Sequence, residues 1–523
     1  MAAELEDPAG PSITEREPPR TIAPDARRSS LVAAVTALAI AVSVIVRNWP
    51  LIGRAVYEDG DFAANSLLID RAKHLTLLTG NYSRVGFHHP GPALLWVQGA
   101  SELVFRDLLG AVDTPYNAHV LGIILLEATT FYISLRIVMR WFASPLAVAA
   151  FGATMFTVIS FQDGVQGSTW MPHIYIWPFL LFTVASISLL DGRLTDIWAY
   201  VLASVLLIHG HVSFITNVAV MTLAILALTI WRWRRCRDRL DLPTPRVMLA
   251  TAAIVAIGAA PMIANLVLHF PGDWKNYWSF SHSSATGGNP LRGSARLVLA
   301  VWNGNSRWGA LLAVASVALL LLVARSSSGL RRLIRASIIA FAVITATVLF
   351  YVVRGVDDLA FTYVVIYYVA VPMTAAGLIV AACVERTRAA AARPLAIATI
   401  AGTLLFTSAT SAVANPYRGA AWLPDALASV EREAGTRSMV ALDFETPGWP
   451  AALGVLEYAR RHGAHACVVN PVWAFLATKE EICRPDELQG ALEVRIDDGN
   501  HSAGADAGRT VYANPAVEIT VAP

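Results

Sequence analysis

Eleven apolar runs, most of them near the length that crosses a hydrocarbon layer, govern what this chain can fold into. They fall at about residues 30–46, 119–139, 145–161, 174–190, 198–211, 214–231, 247–268, 308–323, 338–353, 362–384 and 395–414. A helix of roughly 20 apolar residues spans about 30 Å of lipid. Composition agrees with a membrane setting: 55% of the 523 residues are hydrophobic and only 15% charged, too few charges to cover a soluble domain of this size. Mean hydropathy is +0.53. The fold expected is a polytopic α-helical membrane protein with about 11 transmembrane helices.

Basic residues decide how such runs would be oriented. Arg27 and Arg28 precede the first run, Arg136 and Arg140 follow the second, and WRWRRCRDR (231–239) follows the sixth. Arg325, Arg331, Arg332 and Arg335 separate the eighth from the ninth, and Arg386, Arg388 and Arg393 precede the eleventh. With a cytoplasmic amino end and an odd number of spans, every cluster falls on the cytoplasmic side of the plasma membrane. The carboxyl end then lies outside. Residues 92–105 are apolar but short, and Gln98 and Glu102 interrupt them. Counting them as a span would put 231–239 outside, so they are expected to lie in or dip into the outer interface. Residues 1–28 are polar and Pro-rich and read as a disordered cytoplasmic arm. They lack the apolar core and cleavage site of a secretory signal, so the first run reads as a retained anchor. A net charge of +2 gives no reason to expect a nucleic-acid partner.

The domain division expected is a transmembrane unit over 29–414 and a small extracytoplasmic α/β domain over 415–523. In the latter, SMVALDF (438–444) and AHACVVN (464–470) read as strands flanking an amphipathic helix over 447–463. Cys467 and Cys483 lie in this region, either bridged or as two reduced core cysteines. Cys236 and Cys383 are expected at the inner face, reduced. The first outer loop, about 47–117, holds most of the polar complexity. Smaller outer segments are FQDGVQGSTWMPH (161–173), HGHVSF (209–214) and 269–307.

Glu58, Asp59 and Asp61 crowd the start of that first loop. A carboxylate there could take a proton from an attacking hydroxyl, or hold a divalent cation against a phosphate leaving group. Asp61 also precedes a stretch of helical periodicity, where it could simply cap the helix. In YSRVGFHHPGP (82–92), Arg84, His88 and His89 could bind a phosphate or anchor at the headgroup layer. Trp274, Tyr277, Trp278, Phe280 and Trp302 suit either sugar faces or an interfacial aromatic belt. No P-loop, HExxH or zinc-like cysteine spacing occurs, which gives no support to an NTPase, zinc protease or redox reading.

Taken together, an Asp-bearing first outer loop, about eleven spans and an outer carboxyl-terminal domain resemble the GT-C superfamily of membrane glycosyltransferases. The chain is similar to actinobacterial multi-span proteins of that type through Gly60-Asp61-Phe62-Ala63 and 82–92, and more loosely through STWMPH, HGHVSF and APMIANLVLHFPGDW (260–274). The likeness covers roughly 30–415. Met171 stands where such proteins carry Asn. The resemblance implies a polyprenyl-phosphate-linked sugar donor, a glycan or lipid-linked acceptor on the outer side, and an Asp base. Asp61 matches that base and Asp59 is the second choice. Arg84, His88 and His89 would lie near the donor phosphate, with Tyr82, Glu58, His173 and His211 completing the substrate-binding candidates. A Mg or Mn ion, if one is used, would fall to Asp59 and Asp61.

Two other classes compete. A transporter or flippase of lipid-linked saccharide would place ionisable groups in mid-span, where Glu127 and His209 are the main candidates. A non-catalytic envelope scaffold would merely present the carboxyl-terminal domain.

Overall fold

A computed structural model describes residues 26–162, 164–235, 240–282, 288–386, 417–435, 437, 439–499 and 508–521. Residues 1–25 of the expected arm, the eleventh apolar run and Cys236 lie outside them, and 26–28, expected in the arm, instead open the first helix. Among the described residues, eight helices are long and apolar enough to cross a membrane, and two shorter apolar helices accompany them. Buried lipid offers no water to backbone amides, so each run must close its own hydrogen bonds as a helix. The chain is built as a polytopic helical membrane protein.

In chain order the helices are α1 (Ala26–Arg47), α2 (Gly60–Lys73), α3 (Ala93–Ser101), α4 (Pro115–Val138), α5 (Pro145–Ser160), α6 (Ile176–Leu190) and α7 (Ile197–Gly210). Next come α8 (Phe214–Arg235), α9 (Pro245–His269), α10 (Asp273–Ser281), α11 (Leu291–Ala300), α12 (Ser306–Ser326), α13 (Arg331–Gly355) and α14 (Ala370–Arg386). Burial sorts them. The stretch Met171–Leu190, which contains α6, is buried throughout except at Pro172 and His173 and forms the axis of the bundle. In Pro245–His269 only Thr251, Gly258 and Pro261 are buried, and the rest leaves apolar side chains such as Leu249, Ile257 and Val267 outward, as a lipid-facing helix requires.

Local chemistry fixes the helix ends. α4 begins at Pro115, four residues before the apolar run, because Thr114 and Asn117 form a capping box there. Asn117 also donates from Nδ2 to the carbonyls of Leu51 and Arg54 at 2.6 and 2.8 Å, so this cap holds the chain entering the first loop. At one end of the bundle the basic residues converge. Asp191 pairs with Arg193 and Arg332, Arg140 pairs with Asp196, and Glu385 accepts from the amides of Ala143 and Ser144.

The opposite end is wider and carries the polar loop. A two-residue hairpin, β1 (Tyr82–Ser83) and β2 (Phe87–His88), turns at Gly86, where φ is +86°. The Pro-Gly-Pro element follows. A Cβ on Gly91 would sit 2.4 Å from Nδ1 of His209, so only glycine lets the two pass. Segment 92–105 was expected to lie at an interface. It forms α3 and then a π-helical turn, Glu102–Leu108, packed against α2, α4 and α7. Gln98 and Glu102 are buried, and Glu102 meets Lys73, His119 and Arg461 there.

Beyond the bundle, residues 417–521 form helices α15 (Leu423–Ala434) and α16 (Trp449–Arg461) with a five-stranded sheet. The strands are β3 (Val440–Phe444), β4 (Ala466–Val468), β5 (Leu492–Asp497), β6 (Arg509–Asn514) and β7 (Val517–Val521), in the order β4-β3-β5-β7-β6. β3 pairs in parallel with both β4 and β5, and α16 supplies the β3–β4 crossover that a parallel pair needs. A disulfide joins Cys467 to Cys483, with Cα atoms 4.9 Å apart. This sheet does not keep its core to itself: Ala63, Ala64 and Leu67 of α2 share it with Leu453, Leu456 and Phe444. The other face of α2, through Leu68, Ile69 and Ala72, belongs to the core of the bundle.

Candidate functional site

A cavity of about 730 Å³ opens at the wide end, walled by α2, the hairpin, the 170–175 turn, the start of α8, α10 and the end of α13. Asp61 lies in its wall. Backbone geometry puts it there: Gly60 takes φ +50°, a conformation that costs other residues, and the next residue opens the first turn of α2. The helix N-cap is Asp59, and its side chain makes no capping bond. Asp61 does not cap either. One of its oxygens accepts from the Tyr82 hydroxyl and the other from the Trp170 indole N–H at 2.8 Å. Two neutral donors therefore hold the carboxylate toward the cavity, and no ion pair to it forms among the described residues.

The neighbouring acids have other partners. Asp59 lies outside the cavity lining; Tyr417 donates to its Oδ1 at 3.0 Å and accepts from its backbone N–H. Burial pushes the Asp59 carboxyl up, and the Tyr417 hydrogen bond opposes that rise only in part. Glu58 is 3% exposed, faces Nδ1 of His119 at 3.2 Å and lies outside the cavity lining. Of the pair Asp59–Asp61, only Asp61 lines the cavity, and no group of three or more His, Cys, Asp or Glu that could hold a metal ion converges among the described residues.

The hairpin distributes its side chains by strand alternation. Tyr82 reaches Asp61. Arg84 lines the cavity, ion-paired to Asp357, hydrogen-bonded to the Tyr363 hydroxyl at 2.8 Å and stacked 3.9 Å over the Phe361 ring. His89 is buried in the wall, its ring 4.1 Å from that of His211, and its Nδ1 has no hydrogen-bond partner among the described residues. Burial holds His89 well below its usual range and His211 at about 4, so both imidazoles are neutral at physiological pH. Ser213 donates its backbone N–H to Nδ1 of His211 at 3.2 Å. That leaves Nε2 of His211 as the N–H donor.

Two sequence candidates fall outside. His88 points away from the cavity, into a setting that includes Asp273, Arg71, Lys479 and Glu480, and its carbonyl accepts from the Tyr277 hydroxyl. His173 stands behind Trp170, with ring centroids 4.8 Å apart and Nδ1 3.0 Å from Ser168 Oγ. The cavity thus unites Asp61, Tyr82, Arg84, His89 and His211, and omits Glu58, Asp59, His88 and His173.

Other lining residues were not singled out from sequence. Trp170 lies within STWMPH, but nothing in one sequence says that its indole turns to Asp61. Arg354 and Asp357 sit at the end of α13, where RGVDD reads as an ordinary polar helix end. Arg354 lines the cavity and has no ion-pair partner among the described residues. Tyr277 and Phe280 of α10, which the sequence did offer for sugar faces or an aromatic belt, line the cavity, while Trp278 on the other face is 71% exposed. In comparisons with known proteins, no family model matches the chain and no curated protein sequence matches it.

Proposed function

We propose that this chain is a GT-C-type membrane glycosyltransferase, with Asp61 as the general base. One observation carries the reading: a carboxylate held by neutral donors, in the wall of a large cavity, at the end of the bundle away from the basic clusters. By the positive-inside tendency the basic end is cytoplasmic, which puts the cavity and the sheet domain outside the plasma membrane, with eleven spans if the 395–414 run is the last. A donor linked to polyprenyl phosphate keeps its tail in lipid and its phosphate at the headgroup level. Among the described residues lining the cavity, Arg354 has no ion-pair partner and can meet that phosphate, whereas Arg84 is paired with Asp357. His89 and His211, being neutral, offer hydrogen bonds to sugar hydroxyls or phosphate oxygens rather than charge.

In the step proposed, the acceptor hydroxyl gives its proton to Asp61 while its oxygen bonds to the anomeric carbon. The bond from that carbon to the phosphate oxygen breaks, and polyprenyl phosphate leaves with the electron pair. Asp61→Asn keeps an acceptor for the Trp170 indole, turns its amide NH2 to donate to the Tyr82 hydroxyl, and removes the base. Expressed in a deletion strain, it is expected to fail to restore the lipid-linked sugar and envelope polysaccharide profile of the wild type, with transfer down about 10²–10⁴-fold. Full restoration at normal protein level would remove Asp61 from the chemistry.

A further inference from the structure

The sheet domain does more than sit above the membrane. α16 sends Arg461 down against the polar face of α2, where it is buried. Its guanidinium reaches Asp70 at 3.0 Å and Glu102 at 2.8 and 3.2 Å, donates to Glu457 at 3.0 Å, and approaches both oxygens of Ser66 at 3.3 Å. Ser66 in turn donates to Glu457 at 2.9 Å. Ser66, Asp70 and Lys73 are spaced to share one side of α2, and Lys73 closes the far edge on Glu102 at 2.5 Å.

We propose that Arg461 is a positioning residue for Asp61, and that the carboxyl-terminal domain is a built-in part of the site. Asp61 occupies the first turn of α2, so whatever fixes the face of this helix fixes the carboxylate. The helix is clamped between two cores, one of the bundle and one of the sheet domain. Apolar contacts set its distance from each but tolerate rotation and sliding; a planar guanidinium with five directed donors tolerates neither. The same domain touches the site at two further points. Trp449 and Pro450, at the start of α16, pack against Gly60, and Phe475 lies 6.3 Å from the Tyr82 ring. Removing Arg461 would also leave the buried Glu457 without an ion-pair partner among the described residues, an unfavourable state for a buried acid, while Glu102 and Asp70 keep Lys73.

The proposal rests on Asp61 being the base, so its test has one arm that needs no activity. Hydrogen exchange is followed by mass spectrometry on the full-length protein in lipid nanodiscs, for the wild type, Arg461→Met, Arg461→Lys and Ser66→Ala. Ser66→Ala removes one partner and leaves no charge unpaired, so it serves if Arg461→Met does not fold. Amides of 60–73 should exchange at least about tenfold faster in Arg461→Met while α6 and α13 are unchanged. Arg461→Lys, which keeps the charge and loses the fork, should fall between, and Ser66→Ala should show a smaller change of the same kind. In the second arm, kcat for sugar transfer falls by about the same factor while KM for the lipid donor stays within about threefold. Unchanged exchange over 60–73 overturns the proposal, and so does loosened exchange with unchanged kcat. If the wild type transfers no sugar, the transferase reading fails, and with it the catalytic meaning given to Arg461; exchange then reports only the clamp.

Discussion

Asp61 owes its exposure to the cavity to Gly60. With φ at +50°, this position strains any residue bearing a Cβ, and Gly60→Ala should lower stability by about 1–2 kcal/mol while displacing Asp61. A thermal melt in detergent alongside a transfer assay checks both, and a neutral result in each would detach the Gly-Asp element from the site. The two histidines make a separate residue-scale prediction. His211 is held at about 4 in the folded protein, against about 6.5 when unfolded. The unfolded chain therefore binds more protons between these values, so stability is full above about pH 6.5 and falls as pH drops toward 4. His89 shifts in the same direction. His211→Gln should flatten this acid limb, as read from melts between pH 4 and 7; an unchanged slope would mean that the imidazole is already protonated in the fold.

At the level of elements, α4 shows how a cap organises a loop. Asn117→Ala removes one half of the capping box and two hydrogen bonds to Leu51 and Arg54, and should cost about 2–3 kcal/mol. Chemical denaturation of the solubilised protein gives that number; a loss under about 0.5 kcal/mol would show that the entrance to the first loop is held by other means. Hydropathy made the apolar runs up to 384 legible, since helix is the conformation that closes backbone hydrogen bonds in lipid. Periodicity likewise anticipated β3, α16 and β4. Segment 92–105 was harder to read, because whether Glu102 is exposed or buried depends on Arg461, some 359 residues away. The catalytic candidate was legible as a motif, but its neighbours were not. Trp170, Arg354 and Asp357 join Asp61 and Arg84 only through the packing of α6 and α13, and single-sequence periodicity carries no contact of that range.

As a whole molecule, the protein has one basic end and one cavity-bearing end, with the sheet domain seated on the latter through α2. This asymmetry makes a topological prediction. An impermeant maleimide added to intact cells should label Ala428→Cys on the sheet domain and leave Ser328→Cys, in the turn before α13, unlabelled; the reverse pattern would put the cavity inside the cell. The cavity's contents give the most direct test of the central claim. Full-length protein in proteoliposomes, supplied with a labelled polyprenyl-phosphate sugar and an outer acceptor, should form a glycosidic product. Asp61→Asn should lose it by about 10²–10⁴-fold while still binding the donor. Equal product from the wild type and Asp61→Asn would contradict the account.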